Sequence, residues 1–330
     1  MKNKLLILTG PTATGKTSLG LKLAREFNGE ILSADSRQAY KHMDIGTGKD
    51  VSINSKFEIR NLKLENKDLN FGTYDFDGVP VWGLDIVEPD YKFNVSDWVK
   101  YAQMIIQDIQ SRNKLPIIVG GTGLYIKALL EPPNTIDIPI DIKLRESLSN
   151  NSVTQLINKL LELDSEKWEK MNESDRNNPR RLIRAIEVAH QRFKIQETRH
   201  KQKSNFQSND ILVIGLTASR VVINQRIDVR VEKRMKMGMV EEVKGLIAKG
   251  YSWDLPSMSS LGYREFKDYI LTADPFSLAA SIERWKISEH QYAKRQLTYL
   301  EKYLPGAKWF DISSARYIDQ IRKLVHNFVE

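Results

Sequence analysis

The chain has 330 residues, no cysteine and a formal net charge of +8. That length exceeds one small core and suits a large α/β domain carrying an insertion. Lack of cysteine excludes disulfides, thiol nucleophiles and thiolate metal sites. The histidines (His42, His190, His200, His290 and His326) show no ligand spacing.

Leu5–Thr9 reads as a buried strand, Lys16–Phe27 as the following helix and Glu30–Ala34 as a second strand. Phe57–Leu62 alternates and residues 70–78 are turn-rich, so 51–82 is predicted to form a β-hairpin projecting from the core. Val95, Trp98, Val99, Ala102, Ile105, Ile106 and Ile109 fall at helical spacing. Leu115–Val119 is another apolar strand, closed by Gly120-Gly121. Strands apolar on both faces and alternating with helices imply a parallel sheet covered on both sides. After about Leu130 the pattern changes: prolines 132, 133 and 139 break the chain, and the stretch from there to about Arg192 looks wholly helical. A polar stretch, 194–210, leads to the strand Ile211–Leu216, and Pro275–Tyr303 reads as one long helix. The expected fold class is α/β: a P-loop parallel sheet core covered by helices (1–130 and 209–330) with an inserted all-helical domain (131–208). The chain opens directly into an apolar strand, without a signal-peptide pattern, and no window suits a bilayer span. The expectation is a cytoplasmic protein with no membrane and no obligate protein partner.

Gly10-Pro11-Thr12-Ala13-Thr14-Gly15-Lys16-Thr17 fits the G-x4-G-K-[ST] pattern, between a strand and a helix as it must be. The glycines let backbone amides turn onto a phosphate, and the helix N-terminus adds a favourable dipole. Lys16 supplies a point charge for a diphosphate and Thr17 a hydroxyl for Mg²⁺. An NTPase of this kind also needs an acid at the end of a neighbouring strand. Leu115–Val119 ends without one; the nearby acid is Asp35, after the second strand. Ligands in such sheets sit at the carboxyl ends of strands, so Asp35, Thr122 and the P-loop should converge on one crevice. Asp35 could act there as a general base, or as a magnesium ligand in a kinase using ATP. From Arg176 to Lys203, nine Lys/Arg are set against only two acids, Glu187 and Glu197, which marks a candidate phosphate-contacting surface.

Eight blocks, in order along residues 10–296, resemble the tRNA dimethylallyltransferases, also called tRNA isopentenyltransferases. They are the P-loop, Ser33–Tyr40, Met43–Thr47, Leu84–Pro89, Gly120–Tyr125, Arg184–Val188, Gly262–Glu265 and Gln291–Gln296. The resemblance implies transfer of a dimethylallyl group from dimethylallyl diphosphate to the exocyclic amine of the adenosine beside the anticodon, releasing diphosphate. It implies that the P-loop holds the diphosphate with Mg²⁺ and that Asp35 is the base. Thr122 would lie near the transferring carbon and diphosphate, and Arg226, or else Arg230 one turn later on the same helix, would bind diphosphate. Ser36, Arg37 and Gln38 are implied as tRNA contacts beside Asp35 and Thr122. Arg145, Arg180, Arg181, Arg184, Gly262, Tyr263, Arg264, Lys294, Arg295 and Gln296 are implied to grip the anticodon stem-loop. An adenine-nucleotide prenyltransferase and a P-loop small-molecule kinase are the alternatives. The chain departs from the family pattern in a longer 50–84 segment and in Trp82-Gly83, where the family has a histidine pair. Asn177–Arg181 follows the pattern only loosely. No zinc-finger extension follows the core, which suits a bacterial form.

Overall fold

All five side chains of Leu5–Thr9 (β1) are buried, so this strand belongs in the middle of a sheet covered on both faces. The structure, a computed structural model, describes residues 3–49, 57–59, 71–194 and 207–330. After β1 come α1 (Lys16–Glu26), β2 (Gly29–Ser33), β3 (Phe57–Ile59), β4 (Gly72–Phe76), β5 (Val79–Trp82), α2 (Val95–Ser111), β6 (Leu115–Gly120) and α3 (Gly123–Leu130). Helices α4 (Ile142–Leu148), α5 (Val153–Glu169), α6 (Glu173–Arg176) and α7 (Pro179–Lys194) follow. The chain then runs through β7 (Ile211–Thr217), α8 (Arg220–Lys236), α9 (Met239–Ala248), α10 (Lys267–Thr272), α11 (Pro275–Tyr303), β8 (Lys308–Asp311) and α12 (Tyr317–Val329).

Among the described residues the strands form one sheet in the order β3-β4-β5-β2-β6-β1-β7-β8. From β5 to β8 neighbouring strands are parallel; β3, β4 and β5 pair antiparallel. The apolar runs predicted as strands occupy the centre, because only there are both faces shielded. Each fully buried Leu or Ile in them contributes roughly 1.5–3 kcal/mol relative to exposure. Of the expected hairpin, the described parts of the two arms, β3 and β4, pair antiparallel. Strands β4 and β5 turn at Asp77-Gly78, and β5 pairs with β2, so the segment extends the sheet edge. The rest of the expected hairpin, 51–56 and 60–70, lies outside the described residues. Strand β8 was not anticipated: Lys-Trp-Phe-Asp is a short edge strand, half-exposed, with no apolar run to announce it.

Helix α2 buries the face formed by Trp98, Val99, Ala102, Ile105, Ile106 and Ile109. Asn94 caps it: its side chain accepts from the amides of Ser96 (2.9 Å) and Asp97 (3.2 Å), while Asp97 reaches back to the Asn94 amide.

Contacts divide the chain into two units, residues 1–131 with 204–330, and residues 132–203. The smaller unit is helical, with Leu148, Leu156, Leu160, Leu182 and Ile186 in its core. Its centre also holds a carboxylate. Glu187, fully buried, accepts from Arg145 at 3.0 and 2.8 Å, from Arg184 at 2.5 Å and from the Asp141 amide at 2.6 Å. Arg184 also donates to the carbonyls of Thr135 and Ile138, both at 2.9 Å.

The larger unit has a comparable clasp at the start of β2. Glu30, fully buried, accepts from Arg112, from Lys114 at 2.9 Å and from the Trp82 indole at 2.9 Å. Burial pushes its carboxyl up, but the Arg112, Lys114 and Trp82 hydrogen bonds outweigh this and hold it at about 2. Because that value lies below the ordinary one, the clasp stabilises the fold fully above pH 4.5 and is lost as pH falls through about 2. Arg112→Ala leaves Glu30 buried with one cation fewer. We expect it to lower unfolding free energy by about 3 kcal/mol at neutral pH. Denaturant melts at pH 7 check this, and a loss under about 1 kcal/mol contradicts it.

Candidate active site

The P-loop leaves β1 at Gly10, where φ is 146°, and a Cβ would strike the Leu216 carbonyl oxygen of β7. Gly15, at φ 83°, caps α1 in the left-handed region. Between them Thr14 donates to the Pro11 carbonyl at 2.8 Å, folding the loop around its own backbone. Lys16 donates to the same carbonyl at 2.6 Å. The loop borders a cavity of about 680 Å³, lined also by residues after β2, after β6, from α8 and from α11. This is the carboxyl end of the parallel strands, where the topology leaves room for a ligand.

Cations crowd that cavity. Eight Lys/Arg side chains border it, against Asp35, Asp44 and Glu289. Burial, and after it the Arg230 charge, push the Lys16 ammonium down to about 7, while Asp35 pulls it back up. Arg226 reaches the loop: its Nη2 lies 3.6 Å from where a Cβ on Gly15 would stand. Among the described residues it has no ion-pair or hydrogen-bond partner. Arg230 differs, because it donates to Glu289 at 3.1 Å. Glu289, 5% exposed, also lies 3.7 Å from Arg234 and accepts from the Trp285 indole at 3.3 Å. Of the two arginines, Arg226 is therefore the one uncommitted beside the P-loop, and Arg230 is the one held against a carboxylate.

Asp35 follows β2 and lines the cavity, half-exposed. Its carboxylate accepts from the Arg37 amide at 2.9 Å, a turn that leaves the other oxygen available. Thr122 follows β6 and is the N-cap residue of α3, yet its hydroxyl makes no capping bond. It accepts instead from the Ser36 amide at 3.1 Å. A capping threonine typically contributes about 1 kcal/mol to its helix, so this hydroxyl has been diverted to the Asp35 turn.

Several residues expected to contact tRNA are engaged within the protein. Gln296, 7% exposed, accepts from the Thr12 amide at 2.8 Å and donates to the Gly121 carbonyl at 3.0 Å. It clamps the P-loop to the end of β6. Gln38 accepts from Ser33 at 2.8 Å and donates to the carbonyls of Thr47 and Gly48 at 3.3 and 3.0 Å. Tyr263 is fully buried and donates to Glu242 at 2.6 Å, while Gly262 packs against Trp285. Glu242 also accepts from the amides of Asp44, Ile45 and Gly46 at 2.9, 2.8 and 3.1 Å, fixing that wall of the cavity. Arg37 donates to the Pro256 carbonyl at 2.7 Å, and Arg264 pairs with Glu265 at 2.8 Å while still lining the cavity. Lys294 and Arg295 are exposed, and Arg295 borders the cavity. In the helical unit, Arg145 and Arg184 are held by Glu187, and Arg181 pairs with Asp175; Arg180 is exposed. Residues 195–206 of the basic run lie outside the described residues.

Glu289, Tyr292, Glu242 and Arg234 were missed by the sequence reading. One signal was available: Arg226, Arg230 and Arg234 recur every four residues, as do Trp285 and Glu289, which places each set along one helix face.

The IPP transferase family model matches residues 67–303, and the isopentenyl transferase model matches 3–79. The tRNA dimethylallyltransferase of Clostridioides difficile (strain 630) is 35% identical, covering 100% of this chain and 98% of that protein. The chain belongs to the tRNA dimethylallyltransferase family. The full-length tRNA isopentenylpyrophosphate transferase of Bacillus halodurans shares its structure with a TM-score of 0.67 at 32% identity, covering 99% of this chain and 97% of that one. A eukaryotic dimethylallyltransferase acting on tRNA has the same fold, with a TM-score of 0.76 at 24% identity over 100% of this chain and 80% of that one. No helix among the described residues is long and apolar enough to cross a membrane.

Were a diphosphate to bind at the P-loop, the lowered Lys16 would make that binding a protonation event. Above pH 7 the free pocket holds Lys16 largely neutral; a bound polyanion favours the ammonium. Diphosphate binding at pH 8 should therefore take up a sizeable fraction of a proton, and affinity should fall as pH rises past 7. Calorimetry in two buffers of different ionisation enthalpy reads the uptake directly. Equal heats in both buffers would contradict it.

Proposed function

We propose that the chain transfers the dimethylallyl group of dimethylallyl diphosphate to the exocyclic amine of the adenosine beside the anticodon of tRNA. The observation that carries this reading is one cavity shared by a P-loop and a lone strand-end carboxylate, Asp35, with arginines on the facing wall. The P-loop amides, Lys16 and Arg226 hold the diphosphate. Thr17, exposed at the start of α1, and the diphosphate oxygens form a donor set of hard oxygens that fits Mg²⁺. When bound, Mg²⁺ supplies further positive charge for the leaving diphosphate. As the adenine nitrogen bonds to the first prenyl carbon, the carbon–oxygen bond breaks and its electron pair goes to diphosphate. Lys16 and Arg226 neutralise that growing charge. Asp35 accepts the proton the amine releases. The amine lies on the pairing edge of its base, so the adenine leaves its stack to enter the cavity.

The exposed members of the basic set, Arg180, Lys294, Arg295 and Arg264, are the contacts we assign to the anticodon arm, with Arg37 and Ser36 beside the acceptor base. Arg145, Arg181 and Arg184 act there mainly through the helical unit they hold together.

The test is radiolabelled dimethylallyl diphosphate with bulk tRNA, with AMP, and with ATP as a hydrolysis control. Label on tRNA, little on AMP and no tRNA-stimulated ATP hydrolysis are expected; preference for AMP overturns the reading. Asp35→Asn should keep diphosphate affinity and cut single-turnover prenylation about 10²-fold or more. Near-normal turnover would remove Asp35 from the mechanism. Arg180→Gln should reduce the log–log salt slope of tRNA binding by about 0.7–0.9, one phosphate contact, and leave dimethylallyl diphosphate affinity unchanged. An unchanged slope takes Arg180 out of the interface.

A further inference from the structure

Three carboxylates line the cavity among its Lys/Arg side chains, and they are not alike. Asp35 is half-exposed, and Asp44 is exposed and takes the Lys49 ammonium at 2.7 Å. Glu289 is buried, and it is set directly among the cations of α8. It accepts from Arg230 at 3.1 Å and from the Trp285 indole at 3.3 Å, with Arg234 3.7 Å away.

The two arginines are held differently. Arg234 is buried and also donates to the Gly46 carbonyl at 3.0 Å, and a Cβ on Gly48 would stand 2.0 Å from its Nη2. It is wedged against the turn at residues 46–48. Arg230 is looser. Its side chain is a quarter exposed, and Glu289 is the one acceptor it reaches among the described residues. Its Nε is buried there without a hydrogen-bond partner. A buried N–H left unmatched is costly, so this guanidinium gains when a second acceptor arrives. Arg230 lies one turn after Arg226 on the same face of α8. Its charge bears on Lys16, second only to burial, which puts it within electrostatic reach of the P-loop.

We propose that Glu289 is a built-in competitor of the diphosphate: it holds Arg230 before the anion binds and yields it afterwards, so that diphosphate is bound less tightly than the cations alone would hold it. The exchange strands neither partner. Glu289 keeps the Trp285 indole and Arg234, and Arg230 replaces one carboxylate oxygen by an anion with several. On the prenyl-transfer reading above, on which this rests, the product carries the same diphosphate group as the substrate. A site that grips that group equally well before and after transfer gains nothing in rate and retains its product.

Glu289→Gln keeps the side-chain volume and removes the charge. Its affinity for inorganic diphosphate, read by calorimetry, should rise about tenfold over wild type. In an Arg230→Gln background the same change should gain less than about threefold, since the contested arginine is gone. A crystal structure of the wild type with inorganic diphosphate tests the exchange without any variant: Arg230 should contact the anion and stand more than about 4 Å from Glu289. An affinity of Glu289→Gln that falls, or stays within about twofold of wild type, overturns the proposal and leaves Glu289 as a structural tie between α8 and α11. So does a gain of about tenfold that persists without Arg230, or a wild-type complex in which Arg230 remains on Glu289. Failure of the wild type to bind inorganic diphosphate at all would count instead against the reading of function.

Discussion

Like charge crowded into one cavity is the constraint on which the rest of this structure depends. The eight Lys/Arg side chains that line it repel one another, as like charges do. The fold meets this in two ways. Carboxylates are interleaved among the cations: Glu289 between Arg230 and Arg234, and Asp35 toward Lys16. Lys16, pressed first by burial and then by the Arg230 charge, is lowered to about 7.

Such a pocket must also be rigid, because a cation free to move would relax away from its neighbours. The rigidity comes from the sheet. Strands β1, β6 and β2 are buried along their whole length and end at one level, which puts the P-loop, Gly121 and Asp35 side by side. Gln296 then joins the loop to the end of β6, and Glu242 gathers three successive amides of the 44–46 turn. The bond from Gln296 to Gly121 is buried, where an unmatched group would be costly. These clamps therefore specify one arrangement of the cavity wall.

How much of this was legible in the sequence depends on the range of each interaction. Local patterns carried the P-loop, the central strands and α11, since apolar runs and the glycine spacing are themselves local. The edge was harder. Residues 51–82 read as a hairpin standing off the core, and only the pairing of Val81 and Trp82 with Ile31 and Leu32 shows that the segment continues the main sheet. Residues given to tRNA by resemblance, Gln296, Gln38 and Tyr263 among them, prove to be bonded to other parts of the protein. Thr12 and Gln296 are separated by 284 residues, and no spacing rule links them. Sequence could mark those positions as belonging to the site without saying whether they face the ligand or the protein.

The same distinction bears on the helical unit. A run of arginines reads as a nucleic-acid surface because a solvated face normally mixes signs. Here one buried acid, Glu187, absorbs two arginines of that unit. A carboxylate removed from water demands full hydrogen bonding, and Arg145, Arg184 and the Asp141 amide supply it. Net charge counted along a segment therefore overstates the charge offered to a polyanion. It is the exposed remainder, Arg180 foremost, that a phosphate could reach without dismantling the helices behind it.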